Sequence, residues 1–301
     1  MDISHYQQRS KSFRKLVSSP SPLQIAGTIN AYTALLAEKA GFQSIYLSGA
    51  GVANASFGLP DLGVTTLENV SEDVRRIAQA CPLPLLVDAD TGWDDPEHSI
   101  RQLSIAGAAA IHIEDQIDLK RCGHRPGKNL VAIEEMQERI RSAVCGCDLN
   151  PDFVIMARTD SHAVEGFHAS IDRSKAYIEA GAHMIFAEAY ATLDEYKLLT
   201  DELDVPVLAN ITEFGKTPLF TVEELKSAGI AMALYPLTAF RAMSASALSV
   251  YETVRQQGTQ KSLLDKMQTR AELYEILNYE RYEKEIDKTL AETLTEKGGK
   301  S

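Results

Sequence analysis

Eight short apolar runs, together with the residues that precede them, constrain the fold of this 301-residue chain more than any other feature. A proline precedes four of the runs and an Ala-Gly pair precedes the other four, in strict alternation. The runs are 23–26, 44–47, 85–87, 110–113, 153–157, 184–187, 207–209 and 231–234. Glycine is expected just after the end of a helix, and proline is tolerated just before a strand. We therefore predict eight buried strands, with helices between them.

The segments between the runs have apolar residues three and four positions apart, which is the period of an amphipathic helix. One of these segments, around Val70, follows a candidate capping box formed by Thr65 and Glu68. Strands that alternate with helices predict an α/β fold, a (β/α)₈ TIM-type barrel with additional C-terminal helices; a doubly wound sheet is the alternative. We assign the barrel to residues 1–258 and a helical extension to 259–301, packed on the barrel or on a neighbouring subunit.

The overall charge excludes several classes of partner. The chain has 30 Lys and Arg against 42 Asp and Glu, a net charge of −12 that repels nucleic acid and anionic membranes. No run of about 18 apolar residues predicts a transmembrane helix, and the polar first 19 residues lack the apolar core of a signal peptide. The four cysteines are typical of a reducing compartment. We expect a cytoplasmic protein without nucleic-acid or membrane partners.

Polar residues follow most of the predicted strands, at the end of a TIM-type barrel where active sites are built. They are Ser48, Asp88, Asp90, Glu114, Arg158, Glu188, Asn210 and Thr212. Ser48, Glu114 and Glu188 each lie seven residues after the glycine of an Ala-Gly pair. This shared spacing predicts that their side chains lie at the same end of the barrel. The carboxylates form an oxygen-rich set that suits a hard cation such as Mg²⁺. The alternative is that Asp88 and Asp90 only cap the turns that follow.

The segment 120–128 has four cations and no acidic residue. Within it, Cys122 lies between Arg121 and His124. Neighbouring cations lower the pKa of a thiol, so that it exchanges a proton near neutral pH. We therefore predict that Cys122 and His124 belong to a catalytic site; the alternative is a small buried cysteine in a solvated basic turn.

Two motifs carry a family resemblance. Lys-Arg-Cys-Gly-His at 120–124 and Val-Asp-Ala-Asp-Thr-Gly at 87–92 resemble the isocitrate lyase and phosphoenolpyruvate mutase superfamily. Within it, almost the whole chain is similar to the 2-methylisocitrate lyases, including the stretches 151–160 and 210–215. The resemblance implies an Mg²⁺-dependent carbon–carbon lyase, with Mn²⁺ as an alternative metal. It would be a homotetramer that cleaves the small tricarboxylate 2-methylisocitrate to pyruvate and succinate, in the methylcitrate cycle of propionate catabolism.

The same resemblance implies a role for individual residues. Asp88 and Asp90 are the metal-site residues, with Glu114 near the metal through water, and Cys122 is the general acid. The base that removes the substrate hydroxyl proton is Tyr46 or Asp61, of which we prefer Tyr46. The substrate-binding positions are Ser48, Gly49, Ala50, Cys122, Gly123, Arg158, Glu188, Asn210, Ile211, Thr212, Arg241 and Arg270. The family commonly has Ser-Gly-Gly where this chain has Ser-Gly-Ala at 48–50, which puts the local backbone geometry in doubt.

Two other functions stay open at this stage. Isocitrate lyase performs the same cleavage on a substrate without the methyl group, and one methyl contributes only about 1–3 kcal/mol of discrimination. A catalytically silent barrel that acts as a scaffold would have lost its site residues, whereas the acid, metal and anion-binding positions are all occupied here.

Overall fold

A closed barrel of eight parallel strands forms the centre of the protein. The computed structural model describes residues 4–117 and 127–298. The strands are β1 (Leu23–Gly27), β2 (Ser44–Leu47), β3 (Leu85–Asp88), β4 (Ala110–Glu114), β5 (Val154–Thr159), β6 (Met184–Ala187), β7 (Val207–Asn210) and β8 (Met232–Tyr235). Each strand pairs with the next, and β8 closes on β1 with Met232 opposite Leu23. The eight predicted strands and the barrel are confirmed, and the doubly wound sheet is wrong.

A helix precedes the first strand, and helices connect consecutive strands around the barrel. They are α1 (Ser4–Val17), α2 (Ala31–Lys39), α3 (Gly49–Gly51), α4 (Leu67–Ala80), α5 (Pro96–Ala106), α6 (Ile133–Cys145), α7 (Phe167–Glu179), α8 (Leu193–Glu202) and α9 (Val222–Ser227). The glycines of the four Ala-Gly pairs, Gly41, Gly107, Gly181 and Gly229, all have positive φ, between 76° and 115°. This left-handed conformation ends a helix at little cost only in glycine, so the sequence alternation marks the helix ends as predicted.

Two details of the predicted helices are wrong. The cap of α4 is Thr66, whose side chain accepts a hydrogen bond from the Asn69 backbone N–H, and not the predicted pair Thr65 and Glu68. Thr65 is buried, and its carbonyl accepts a hydrogen bond from Trp93 Nε1 (3.1 Å). Helix α1 was missed, because its sequence is polar apart from a narrow apolar face that includes Phe13.

The chain divides into two compact units, Met1–Ala242 and Met243–Ser301. Helix α10 (Thr238–Gln257) begins in the first unit and ends in the second. The second unit also contains a 3₁₀ turn (Lys261–Lys266), α11 (Arg270–Ile276) and α12 (Tyr279–Gly298). Our boundary at residue 258, like the packing of the extension, stays a prediction. In the described ranges 4–117 and 127–298, no helix is long and apolar enough to cross a membrane.

The alternation of side chains along the strands decides which residues enter the barrel. In β2, Ile45 and Leu47 belong to the outer core between strands and helices, whereas Tyr46 belongs to the inner core. The same parity holds from β2 to β8, where the inner-core strand residues are Tyr46, Leu86, Ala110, Val154, Met156, Met184, Phe186, Leu208, Met232 and Leu234. Even-numbered residues therefore face the barrel interior, and their odd-numbered neighbours face the helices.

The N-terminal end of the barrel is closed by α1. Phe13 is fully buried and, with Val17, packs into the inner core. Polar contacts fix the helix in place: Ser10 Oγ donates to the Ala109 carbonyl (3.0 Å), and Arg14 donates to the carbonyls of Asp152 (2.7 Å) and Phe153 (3.0 Å). The burial of this apolar face stabilises the barrel at one end and leaves the opposite end open.

Candidate active site at the carboxyl ends of the strands

A cavity of about 250 Å³ is formed at the C-terminal ends of the strands. The predicted site residues that line it are Tyr46, Ser48, Ala50, Asp61, Asp88, Glu114, Arg158, Glu188, Asn210, Thr212 and Arg241. Ser48, Glu114 and Glu188, which share one spacing in the sequence, thus meet in one place. Because nearly all of these residues continue the even-numbered interior positions, the strand register itself assembles the cavity.

Two carboxylates converge beside Gly49. Asp88 Oδ2 accepts a hydrogen bond from the Gly49 backbone N–H (3.0 Å), and Asp88 Oδ1 accepts one from the Asp90 backbone N–H (3.1 Å). A Cβ placed on Gly49 would lie 3.1 Å from Asp90 Oδ1 and 3.2 Å from Asp88 Oδ2. Asp90 itself has a left-handed backbone with φ of 48°, which is costly for a residue other than glycine. The carboxylate pair therefore lies close against Gly49, and a Cβ at this position would require a carboxylate to shift by a few tenths of an ångström.

The chemistry of this pair suits a hard divalent cation. Both carboxylates are buried, and all their donor atoms are oxygens. Within residues 4–117 and 127–298, no cluster of three or more His, Cys, Asp or Glu side chains could hold a metal. Mg²⁺ does not need such a cage, because it takes one or two carboxylates and completes its shell with water and substrate oxygens. Asp88 also accepts backbone hydrogen bonds from Gly49 and Asp90, so it caps the turn after its strand, as the alternative interpretation predicts.

The hydroxyl of Tyr46 lies on the floor of the cavity. It is 2.9 Å from His112 Nε2 and 3.4 Å from Asp88 Oδ2. His112 is fully buried, and its Nε2 is 3.7 Å from Asp88 Oδ1. Our sequence analysis did not name this histidine, although it lies two residues before Glu114 and so shares the interior parity. Tyr46, one of the two candidate bases, thus has an imidazole nitrogen within hydrogen-bonding distance of its hydroxyl.

Arg158 supplies a buried positive charge opposite these acids. Its Nε is 3.1 Å from Asp160 Oδ2 and 3.4 Å from Glu114 Oε2. Its guanidinium carbon lies 5.1 Å from the centre of the Phe186 ring. Burial alone would lower the pKa of Arg158, but the surrounding carboxylates, Asp160 and Glu188 first among them, raise it above its ordinary value. A permanently charged guanidinium in this place suits the recognition of a carboxylate.

Strand β7 contributes an amide and a hydroxyl. Asn210 Nδ2 donates to Glu188 Oε2 (3.1 Å), which orients both side chains in the cavity. Thr212 lies at the next interior position and also lines the cavity. Ile211, between them, has the opposite parity: its side chain packs in the outer core and its backbone N–H donates to the Leu234 carbonyl (2.8 Å). The side chain of Ile211 therefore does not line the cavity, which leaves its main chain for the predicted contact.

The open side of the cavity carries the exposed Arg241. Its Nε is 3.5 Å from Glu213 Oε2, and its guanidinium carbon is 5.7 Å from the centre of the Phe214 ring. Phe214 is 94% exposed and has φ of 61°. Lining residues that our sequence analysis missed are Phe186, Glu213, Phe214, Gly215, Leu234, Pro236 and Leu237. Strand parity could have found Phe186, Leu234 and Pro236, whereas nothing in the sequence pattern marks the loop residues.

Of the predicted residues, Gly49, Asp90 and the side chain of Ile211 do not line the cavity, and four more are not placed in it. Cys122, Gly123 and His124 lie outside the described residues. On either side of that segment, Gln116 pairs with Leu130 in an isolated antiparallel bridge. Arg270 is the first residue of α11, in the second compact unit. The roles of all four stay predictions.

Comparison with known proteins gives consistent matches over nearly the whole chain. The model of the phosphoenolpyruvate phosphomutase family matches residues 13–255. The 2-methylisocitrate lyase of Escherichia coli K12 is 57% identical over 285 residues, which cover 93% of this chain and 96% of that protein. The crystal structure of 2,3-dimethylmalate lyase, a member of the PEP mutase/isocitrate lyase superfamily, has a TM-score of 0.85 at 32% identity and covers 92% of this chain and 93% of its own. Phosphonopyruvate hydrolase in complex with oxalate and Mg²⁺ has a TM-score of 0.80 at 27% identity, covering 91% and 96%.

Proposed function

Since the chain belongs to the phosphoenolpyruvate phosphomutase family, we propose that it is a carbon–carbon lyase that cleaves 2-methylisocitrate to pyruvate and succinate. Its similarity to a 2-methylisocitrate lyase extends over 93% of its length. One structural observation carries the proposal: a single cavity is lined by the Asp88 carboxylate, the Tyr46 hydroxyl and the buried Arg158, and the Asp90 carboxylate lies with Asp88 beside Gly49. These are the groups that a retro-aldol cleavage of a tricarboxylate requires.

Asp88 and Asp90 would hold Mg²⁺, or Mn²⁺ in its place. When bound, such an ion supplies a Lewis acid for the hydroxyl and carboxylate oxygens of the pyruvate half. The phosphonopyruvate hydrolase complex supports this assignment, because its oxalate has two adjacent oxygen donors arranged like those of pyruvate. The backbone hydrogen bonds to Asp88 orient its carboxylate before the ion arrives.

Tyr46 would act as the base and Cys122 as the acid. Tyr46 acts as a phenolate whose own proton has passed to His112 Nε2. It removes the proton from the hydroxyl at C2, the C2–C3 bond breaks, and the electron pair of that bond passes to C3 of the succinate half. That half leaves as an aci-carboxylate, a doubly charged enediolate, which Arg158 stabilises at the oxygen atoms where the charge collects. Cys122 then gives its proton to C3. The proton taken at C2 and the proton given at C3 balance the reaction.

The role of Cys122 is tested by the substitution Cys122→Ser. A serine hydroxyl is a much weaker acid than a thiol, so kcat should fall by about 100-fold or more while KM changes little. Cys145→Ser, at an exposed free cysteine, is the matched control and should keep kcat within about twofold. If Cys122→Ser retains the wild-type kcat, Cys122 is not the acid.

The substrate itself is tested by comparing kcat/KM for 2-methylisocitrate and isocitrate, with and without a divalent cation, and by following pyruvate against glyoxylate. We expect pyruvate as the dominant product, a preference of about 10-fold to 200-fold for the methylated substrate, and loss of turnover on chelation. Glyoxylate as the dominant product would instead favour an isocitrate lyase. No turnover of either substrate with Mg²⁺ or Mn²⁺ would leave the scaffold alternative.

The assembly and the compartment are proposals as well: a homotetramer in the cytoplasm. The second compact unit supports self-association, because it exposes large apolar side chains such as Tyr251, Tyr282 and Ile286. The three described cysteines, Cys81, Cys145 and Cys147, are free thiols, which fits a reducing compartment. The mass in solution, measured by light scattering, should be about four times that of the chain, and a monomeric mass would contradict the proposal.

A further inference from the structure

Behind Arg158 lies a buried ion pair that the proposed reaction does not use. Lys128 Nζ donates to Asp160 Oδ1 at 2.6 Å, and the two side chains are only 2% and 0% exposed. A buried pair of this kind contributes little net stability, because the cost of removing both charges from water offsets their attraction. The pair therefore calls for an explanation other than stability.

Asp160 binds the arginine with both of its oxygens. Its Oδ2 accepts from Arg158 Nε (3.1 Å) and its Oδ1 accepts from Arg158 Nη2 (3.4 Å). Oδ2 also accepts from Gln116 Nε2 (3.3 Å). Two parallel contacts between a carboxylate and a guanidinium fix its plane as well as its distance.

Other carboxylates compete for the same guanidinium. Glu114 Oε2 is 3.4 Å from Arg158 Nε, and Glu188 Oε2 is 4.0 Å from Arg158 Nη2. A long, flexible side chain among several acids has several alternative positions of similar energy. The two-point contact with Asp160 favours one of them, in which the guanidinium also lies against the Phe186 ring.

Asp160 can act in this way because its own position is fixed. Its backbone N–H donates to Asp115 Oδ1 (2.9 Å). Asp115 faces the helices and is itself held by Thr159 Oγ1 (2.7 Å) and by Tyr177 Oη of α7 (2.9 Å). A buried set of hydrogen bonds thus connects helix α7 to Asp160, the carboxylate that binds Arg158.

Lys128 completes the arrangement through its charge. Arg158 and Asp160 alone would form a neutral pair with a weak attraction for an anion. With Lys128 included, two buried cations, Lys128 and Arg158, face the carboxylates of Asp160, Glu114 and Glu188, so that Lys128 offsets the charge of Asp160.

We propose that Asp160 is a positioning residue that holds the Arg158 guanidinium where it meets a carboxylate of the substrate, and that Lys128 offsets the charge of Asp160. This rests on the proposed lyase function, in which Arg158 stabilises the charge that develops on the succinate half. Displacement of a binding group by about 1 Å can cost about 100-fold in rate. Asp160→Asn should therefore lower kcat about 100-fold, with a smaller change in KM, because the charge grows mainly in the transition state.

The substitution Asp160→Asn also leaves Lys128 buried without its counter-charge, which destabilises the fold. The double variant Lys128→Met/Asp160→Asn removes that defect and separates the two roles. If Asp160 positions Arg158, the double variant regains the wild-type Tm within a few degrees but stays at least about 30-fold below the wild-type kcat. Wild-type kcat in the double variant would overturn the proposal. Asp148→Asn is the control: it removes a carboxylate that pairs with Arg101 at the surface, and should leave kcat within about threefold.

Crystal structures of the wild type and the double variant give a readout that does not depend on turnover. We expect the Arg158 guanidinium to leave the Phe186 ring in the variant; an unmoved guanidinium would overturn the proposal. If the wild-type protein fails to cleave 2-methylisocitrate, the proposed function is wrong, and the position of Arg158 in the two structures still decides whether Asp160 holds it.

Discussion

At the N-terminal end of the barrel the strands meet the apolar face of α1, whereas at the C-terminal end they finish in carboxylates, an amide and an arginine. Phe13 at the first end is buried in a continuous hydrophobic cluster. Asp88 and Arg158 at the other end are buried as charges, which costs free energy unless each has partners. The apolar burial at the N-terminal end therefore offsets the free-energy cost of the buried charges that form the site at the C-terminal end.

The change from one environment to the other takes place within a single strand. In β5 the interior side chains of Val154 and Met156 belong to the inner core, and Arg158 follows at the next interior position. Strand parity keeps all three on the same side, so the chain moves from core to active site without a change of register. Substitutions at the two ends should therefore affect stability and activity separately.

The largest effect on activity is expected from Asp88→Asn. Loss of this carboxylate removes a donor from the metal site, and we expect kcat/KM to fall about 10,000-fold while Tm stays within a few degrees of wild type. The matched control is Asp95→Asn, at the N-cap of α5, where asparagine caps equally well. Steady-state kinetics and thermal unfolding on the same preparations test this prediction. An active Asp88→Asn variant would contradict the assignment of Asp88 to the active site.

The largest effect on stability is expected at the opposite end. Phe13→Ala should lower the free energy of unfolding by about 3–5 kcal/mol, because it leaves a cavity in a closed apolar core. Phe214→Ala, at a ring that is 94% exposed, should change it by less than about 1 kcal/mol. Urea unfolding measures both. If Phe13→Ala lowers kcat/KM more than about threefold under folded conditions, the two ends are not independent.

A smaller effect on activity should distinguish the two candidate bases. Tyr46→Phe removes the hydroxyl beside His112, and we expect kcat to fall about 100-fold. Asp61→Asn, at the same cavity, should stay within about fivefold of wild type, and so should Tyr235→Phe, a tyrosine at the end of β8 that does not line it. A larger loss in Asp61→Asn than in Tyr46→Phe would reassign the base to Asp61.

The smallest effect concerns pH and lies again at the N-terminal end. Burial, and next the charge of Arg14, lowers the pKa of His183 to about 4, and its Nδ1 accepts the Ile155 backbone N–H. The histidine of an unfolded chain has a pKa near 6.5. Between pH 6.5 and 4, the unfolded chain therefore binds a proton at His183 that the folded chain does not bind. Stability should therefore fall as the pH drops through this window.

Between pH 7.5 and 4.5, the free energy of unfolding of His183→Gln should fall by about 1–2 kcal/mol less than that of the wild type, allowing for the partial exposure of the ring. The glutamine carbonyl can still accept the Ile155 N–H, so stability at pH 7.5 should change little. The measurement is the free energy of unfolding of both proteins at pH 7.5 and 4.5. An equal loss in the two proteins would show that His183 does not cause it.

The barrel could be predicted from the sequence because its signals are local. Each Ala-Gly pair ends a helix just before a strand, and this punctuation recurs at every second strand. The shared spacing of Ser48, Glu114 and Glu188 placed three site residues at one rim for the same reason. Helix α1 was missed because its apolar face is too narrow to stand out in a polar segment, and it is defined only by the barrel that it closes.

The finer structure of the site depends on contacts between distant parts of the chain. The hydrogen bond between Arg158 and Asp160 could have been predicted, because the two residues are two positions apart. The ion pair of Lys128 with Asp160 forms only when two loops meet. The contact of His112 with Tyr46 could not be predicted, because it joins neighbouring parts of the barrel that are 66 residues apart in sequence. Strand parity already predicts that the Ile211 side chain faces the helices, so the predicted substrate contact of this residue would use its main chain.

The central claim is that the carboxyl ends of the strands bind a divalent cation and a carboxylate side by side. A crystal structure of the protein with Mn²⁺, pyruvate and succinate tests it most directly, because the anomalous signal of Mn²⁺ locates the metal. We predict a metal peak in coordination distance of Asp88 or Asp90, with pyruvate oxygens on the metal and a succinate carboxylate on Arg158. A metal and products bound elsewhere in a protein that still releases pyruvate from 2-methylisocitrate would contradict the account.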